Sequence, residues 1–191
     1  MKKLFVLALA ATAIFAQAQT FPGTKPISIV VPFAAGTFEH HENVAEQGLF
    51  RCLFGRDSLI ISSLLKQQNA ALQINTICAL AAFQGREFAW KSEEEPGRIP
   101  HEVRDSGDLQ GAKIAAESAW HFPYYGSVDA TLLWLTALDE VAHNDPSILD
   151  RHIEGQSLAH RAELASAWIL NRLDSGSGYI RSNRANPQGI L

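Results

Sequence analysis

The amino-acid sequence predicts a mainly α-helical fold that follows one short N-terminal strand. The strand is predicted over residues 26–36, PISIVVPFAAG, where a β-rich apolar run is followed by proline and small residues. From residue 37 onward no segment has a convincing strand pattern, whereas helical patterns occur in four segments. Four such helices are expected to pack as about two hairpins.

The first two helices are predicted from the residues at their ends. Asp57 or Ser58 can cap a helix through SLIISSLLKQQNA, residues 58–70. The second helix is predicted over about 72–84, and it stops at Gly85 because glycine commonly follows the end of a helix.

A long connection is predicted between the second and third helices. Residues 86–126 are rich in charge, proline and glycine, and the acids at 92–95 are expected to lie in a solvated loop. The third helix is predicted to begin at Ser127 and to run to about His143, and the fourth covers roughly 155–173.

Composition and charge exclude several classes of protein. The chain has 191 residues, 47% hydrophobic and 19% charged, which is typical of one globular domain. The net charge is −4 without a basic run, so no nucleic-acid partner is expected.

A metal enzyme is one alternative function, suggested by His40 and His41 between two glutamates. Adjacent histidines point apart, however, and no metal-binding spacing follows, so no metal or cofactor is expected.

The N-terminus has the pattern of a secretory signal peptide. Lys2 and Lys3 precede an apolar run from Leu4 to about Ala16, and the predicted cut follows Ala18. This run is shorter than the ~20 residues that a membrane span needs, and no later segment is long and apolar enough. The mature protein is therefore predicted to be periplasmic or secreted, without a membrane span.

The two cysteines would then meet an oxidising compartment, where a disulfide can form. Cys78 lies inside ICALAAF, an apolar helical run that also suits a small buried thiol. The pairing of Cys52 with Cys78 cannot be read from sequence alone, and buried thiols are favoured.

The predicted helices bring polar residues to one end of the bundle. If consecutive helices pack antiparallel, the first and third run parallel and their N-termini lie together. The rings of Trp120, Phe122 and the two tyrosines suit the C–H face of a sugar, while charged side chains suit its hydroxyls. The predicted oligosaccharide-binding residues are Arg56, Asp57, His101, Glu102, Arg104, Tyr124, Tyr125 and Asp129.

Three motifs in this region carry a family resemblance. LFGRDSLI (53–60), EEPGRIPHEVR (94–104) and YYGSVDATLLWL (124–135), in this order and spacing, resemble bacterial glycogen-debranching, amylo-α-1,6-glucosidase-like proteins. The resemblance covers about residues 37–191. It implies an (α/α)6 barrel of twelve helices in six hairpins, whose rim loops bind an oligosaccharide with α-glucosidic, α-1,6 linkages.

The chain departs from this family in length. Twelve helices with their loops need roughly 350–450 residues, and only about four helices fit here. The resemblance assigns the catalytic acid to a segment that would follow Leu191. The expectation is an incomplete (α/α)6 barrel over 37–191, a glycosidase fragment that is inactive as it stands. No catalytic residue is assigned, and Asp57, Glu102 and Asp129 are interpreted as binding residues.

Residues 1–36 carry a second resemblance. The signal peptide, FPGTK and the strand after it resemble the start of a periplasmic receptor of the tripartite tricarboxylate transporter group. In that family the strand leads into a glycine-rich turn that binds a carboxylate ligand, but Thr37 stands where a second glycine is expected. Residues 19–36 are therefore interpreted as a receptor-like strand and linker. A solute-binding receptor is the alternative function.

Overall fold

The computed structural model of the protein describes residues 52–118, 120–174 and 176–180. Most of these residues are helical, which confirms a mainly α fold for this part of the chain. The predicted signal peptide, the strand over 26–36 and the histidine pair at 40–41 lie outside the described residues.

The described residues form five α-helices, one 3-10 turn and two pairs of very short strands. The helices are α1 (Gly55–Leu64), α2 (Ala70–Ala82), α3 (Leu109–Ser118), α4 (Asp129–Asn144) and α5 (Leu158–Arg172). The 3-10 turn spans Pro146–Asp150. The strands are β1 (Leu53–Phe54), β2 (Glu102–Val103), β3 (His152–Ile153) and β4 (Gln156–Ser157), and β1 pairs antiparallel with β2 as β3 does with β4.

Four of these helices match the predicted ones, with shifted ends. Helix α1 begins three residues before the predicted start. Its N-cap is therefore Phe54, without a side-chain hydrogen bond, and not Asp57 or Ser58 as predicted. Helix α2 is capped by Asn69, whose side chain accepts a hydrogen bond from the Leu72 amide at 3.2 Å. A side-chain cap satisfies one of the amides that have no partner within the helix.

Two predictions for the region after residue 37 are wrong. The connection over 86–126 contains helix α3, and four two-residue strands are present where no strand was expected. Helix α3 contributes little to the core, because Gly111 is its one buried residue. The strands are too short to show an alternating pattern, and β1 pairs with a partner about fifty positions away.

The core lies between α1, α2, α4 and α5. Trp134 of α4 is fully buried, and its indole Nε1 donates a hydrogen bond to the Ile77 carbonyl of α2 at 2.9 Å. Both cysteines are buried free thiols. The apolar side chains packed in this core include Leu53, Leu59, Leu80, Ile99, Leu138 and Leu158.

Glycine at position 97 is required by both conformation and space. Gly97 has φ +86°, and a Cβ there would lie 2.2 Å from the Leu164 carbonyl oxygen of α5. We expect Gly97→Ala to lower the free energy of unfolding by clearly more than the ~1–2 kcal/mol that left-handed backbone costs a non-glycine residue. Urea denaturation would measure the change.

Gly155 offers a matched control for this substitution. It has φ +78°, but a Cβ there would meet nothing within 4 Å. Gly155→Ala should therefore show the conformational cost alone, about 1–2 kcal/mol. Equal losses in the two variants would mean that a Cβ at residue 97 does not clash with α5.

Candidate functional site

The N-terminal ends of α1 and α4 lie together at one end of the bundle. Arg56 in the first turn of α1 places Nη1 3.5 Å from Oδ2 of Asp129, the first residue of α4. Lys66, two residues after the end of α1, contacts Glu140 in the last part of α4. The two helices therefore run parallel, as predicted from the antiparallel packing of consecutive helices.

The connection between α2 and α4 joins this end through backbone hydrogen bonds. The Gly55 amide donates to the His101 carbonyl at 2.8 Å, and the His101 amide donates to the Tyr124 carbonyl at 2.7 Å. A Cβ at Gly55 would lie 2.1 Å from the Pro100 carbonyl oxygen, so only glycine fits at the start of α1. The three sequence motifs, residues 53–60, 94–104 and 124–135, are thus in direct contact.

Four polar side chains meet at this end, and we call Arg56, Asp57, His101 and Asp129 the rim cluster. The Arg56 guanidinium lies between the two carboxylates, 3.5 Å from Asp57 Oδ1 and 3.5 Å from Asp129 Oδ2. The side chains of Arg56, Asp57 and Asp129 are 38%, 50% and 46% exposed, so a solute can reach them. His101 lies behind them and is buried.

Two atoms of the rim cluster are buried without a hydrogen-bond partner among the described residues. They are Oδ1 of Asp129 and Nδ1 of His101. A buried polar atom without a partner is costly, and such atoms in a native protein commonly face a ligand or a water molecule. Both atoms are closed to solvent, so any solute at the rim cluster would contact the exposed parts of Arg56, Asp57 and Asp129 instead.

The surroundings of His101 favour its neutral imidazole. Burial lowers the pKa of His101 below its usual 6.5, and the nearby Arg56 lowers it further, while Asp129 and Asp57 oppose the change. The rings of Phe54 and Tyr124 pack edge-on at 6.0 and 6.3 Å between centroids. A neutral imidazole presents one donor and one acceptor nitrogen, which suits a hydroxyl group.

This lowered pKa predicts that acid destabilises the protein. Below about pH 6.5 the unfolded chain protonates His101 while the folded protein does not, so the free energy of unfolding falls as pH drops. Above pH 6.5 both states are neutral there and the contribution is level. We expect His101→Gln to flatten the decline between pH 7.5 and 5.5 in urea denaturation. An unchanged slope in the variant would contradict this account.

Glu102 and Arg104 lie beneath the rim cluster rather than in it. Both side chains are buried, the Arg104 guanidinium contacts Glu102 Oε1, and its Nη1 lies 2.7 Å from Asp108 Oδ2. Cys52 Sγ donates to the same Glu102 oxygen at 3.6 Å, and burial followed by Glu102 raises the pKa of Cys52 to about 12. These two predicted binding residues therefore have protein partners, and Asp108 is a partner that the sequence did not indicate.

Three of the four aromatic rings predicted to stack on a sugar, Trp120, Tyr124 and Tyr125, are instead buried in the protein. Tyr124 is fully buried, stacks on Trp120 at 4.6 Å between centroids, and donates its hydroxyl to Glu93 Oε1 at 3.2 Å. Tyr125 is buried and donates its hydroxyl to the Phe83 carbonyl at 2.7 Å. Burying large rings is strongly favourable, so these rings stabilise the connection, and their faces are not open to a ligand.

Glu93 is buried and Glu94 and Glu95 are half-buried, which corrects the expectation of a solvated loop at 92–95. Glu93 is 2% exposed, and the Arg98 guanidinium donates to its carbonyl oxygen at 2.7 Å and to the Ser127 carbonyl at 3.3 Å. Glu95 accepts hydrogen bonds from Trp168 and Arg172 of α5. This network connects the loop to the start of α4 and to α5.

Comparisons with known proteins add no further guide to the site. No protein-family model matches this chain, and no curated protein is significantly similar to it in sequence. Among the described residues, no helix is long and apolar enough to cross a membrane. In the same residues, no group of three or more His, Cys, Asp or Glu side chains could bind a metal ion.

Proposed function

We propose that the rim cluster binds an uncharged oligosaccharide with α-glucosidic, α-1,6 linkages, as part of a debranching-type glycosidase domain. The observation that carries this proposal is the meeting of three accessible charged side chains, Arg56, Asp57 and Asp129, at the N-terminal ends of α1 and α4. Together they offer a solute both hydrogen-bond donors and acceptors within one small area.

The charges of the rim cluster favour a neutral ligand that is rich in hydroxyl groups. Arg56 donates hydrogen bonds, and Asp57 and Asp129 accept them. A sugar hydroxyl likewise donates and accepts. An anionic ligand would meet two carboxylates against one guanidinium, so a tricarboxylate is disfavoured here.

Two features of the fold support a partial (α/α)6 barrel. Helices α1 and α4 run parallel, as neighbouring inner helices do in that architecture, with α2 and the ten-residue α3 between them in the chain. The segments 53–60, 94–104 and 124–135, which resemble debranching proteins, also contact one another at the rim. We propose binding and not hydrolysis, because the three candidate acids are paired: Glu102 pairs with Arg104, and Asp57 and Asp129 share Arg56.

The proposal is tested by titrating the protein with maltooligosaccharides, with and without an α-1,6 branch, and with citrate. We expect sugar binding with a Kd on the order of millimolar and no binding of citrate. Asp129→Asn keeps the size of the side chain but removes a charged acceptor, so it should abolish sugar binding without changing helicity. NMR or calorimetric titration would measure the affinity.

Asp139 provides a matched control on the same helix. It is exposed in the second half of α4, far from the rim cluster. Asp139→Asn should bind sugar like the unchanged protein. Sugar binding that survives Asp129→Asn, or a preference for citrate over maltooligosaccharides, would rule out the proposed function.

A further inference from the structure

Two aromatic rings are exposed on the segment that follows α2. Phe88 is 82% exposed and Trp90 is 56% exposed. Exposed rings of this size are uncommon on a protein surface, and together they commonly mark a binding surface. The chain has four tryptophans, and the other three are at most 4% exposed, namely Trp120, Trp134 and Trp168.

The two rings are carried by a well-anchored turn. Ala89 and Glu94 pair as an antiparallel bridge, with two backbone hydrogen bonds of 3.1 Å. Phe88 and Trp90 flank Ala89 in the chain, and Trp90 begins the turn between the two bridge residues. The turn is fixed by Glu93, which is buried. A surface with this support is ordered before a ligand arrives, which lowers the entropic cost of binding.

This turn lies against the segment that leads into α4. The Lys91 carbonyl accepts a hydrogen bond from the His121 amide at 3.3 Å, and the Ser92 carbonyl accepts one from the Tyr125 amide at 2.7 Å. Tyr125 is four residues before Asp129 of the rim cluster. The turn that carries the rings is therefore hydrogen-bonded to the segment that leads into the rim cluster.

The size and surroundings of this surface favour a narrow ligand over a protein partner. Two rings of this kind expose roughly 300 Å², well below the ~800 Å² that each side of a stable protein interface buries. Charged residues surround them, including Arg86, Glu87 and Lys91. Flat apolar faces beside hydrogen-bonding groups complement a sugar ring, which has C–H groups on its face and hydroxyls at its edge.

We propose that Phe88 and Trp90 form an accessory stacking surface for the outer sugar units of the oligosaccharide bound at the rim cluster. This inference rests on the proposed function and extends it, because the affinity for an oligosaccharide would then depend on its number of sugar units. A short sugar fills the rim cluster alone, whereas a longer one also reaches the two rings.

The test compares maltotriose with maltoheptaose on the unchanged protein and on a Phe88→Ala/Trp90→Ala double variant. The double variant should bind maltoheptaose about tenfold more weakly and maltotriose with unchanged affinity. Tyr179→Ala is the matched control, because Tyr179 is also exposed, at 74%, but lies after α5. It should leave both affinities unchanged.

Acrylamide quenching of tryptophan fluorescence gives a second readout. Because Trp90 is the one exposed tryptophan of the four, the quenched signal should come from it and should disappear in Trp90→Phe. Maltoheptaose should protect this signal from acrylamide, and maltotriose should not.

The outcomes separate this inference from the proposed function. If maltoheptaose binds and Asp129→Asn abolishes its binding, but the double variant binds it normally and Trp90 stays unprotected, the stacking surface is wrong and the rim site stands. If neither sugar binds the unchanged protein, both proposals fail. If the double substitution instead dissociates a dimer in size-exclusion chromatography, the rings form a contact between copies of the chain, which overturns the stacking surface.

Discussion

Replacing Trp134 with alanine is expected to lower the free energy of unfolding by about 3–5 kcal/mol. Trp134 is fully buried between α4 and α2, and its indole donates to the Ile77 carbonyl at 2.9 Å. The substitution leaves a large cavity where the helices meet. Since domains are stable by only about 5–15 kcal/mol, the variant should unfold at much lower urea concentration.

Trp90 provides a control of the same residue type. It is 56% exposed, so Trp90→Ala should change stability by no more than about 0.5 kcal/mol. Urea denaturation followed by circular dichroism avoids a fluorescence signal that both substitutions alter. A similar midpoint for the Trp134 variant and the unchanged protein would show that α2 and α4 do not pack through this side chain.

Replacing Arg98 with methionine is expected to lower the free energy of unfolding by about 3–5 kcal/mol. The side chain of Arg98 is 3% exposed, and its Nη1 lies 3.8 Å from Glu93 Oε2 and 3.3 Å from Glu95 Oε1. Removing the guanidinium leaves Glu93 as a buried charge without its cation. It also removes the hydrogen bond to the Ser127 carbonyl before α4, so sugar binding at the rim cluster should weaken too.

An exposed ion pair offers the contrast. Lys113 and Glu117 of α3 lie 3.9 Å apart and are 66% and 65% exposed. Lys113→Met should cost about 0.5 kcal/mol or less, because water solvates both charges when the pair is broken. Comparable losses in the two methionine variants would indicate that the Arg98 network contributes no more than a surface pair.

The sequence predicted those parts of the fold that depend on local pattern. Helices α2, α4 and α5 have clear end signals and were predicted to within three residues at each end. The meeting of Arg56 with Asp129 followed from the antiparallel packing of consecutive helices, which needs no knowledge of side chains.

The parts that depend on distant partners could not be predicted. From the local sequence, the acids at 92–95 look like a solvated run. Their contact with Arg172 could not be seen, because Arg172 lies 77 positions after Glu95, to which it donates a hydrogen bond. Likewise, nothing local distinguishes a tyrosine that faces solvent from Tyr124, whose ring lies on Trp120. Helix α3 was missed because it lies in a stretch rich in charge, proline and glycine, which favours a loop.

The parallel direction of α1 and α4 has an electrostatic consequence for the rim cluster. Each helix carries a partial positive charge at its N-terminus, and side-by-side parallel dipoles repel each other. Asp57 and Asp129 stand in the first turns of these two helices, where a negative charge contributes about 0.3–1 kcal/mol at an exposed position and less at high salt. The carboxylates proposed to accept sugar hydroxyls therefore also offset the repulsion between the helix ends that carry them.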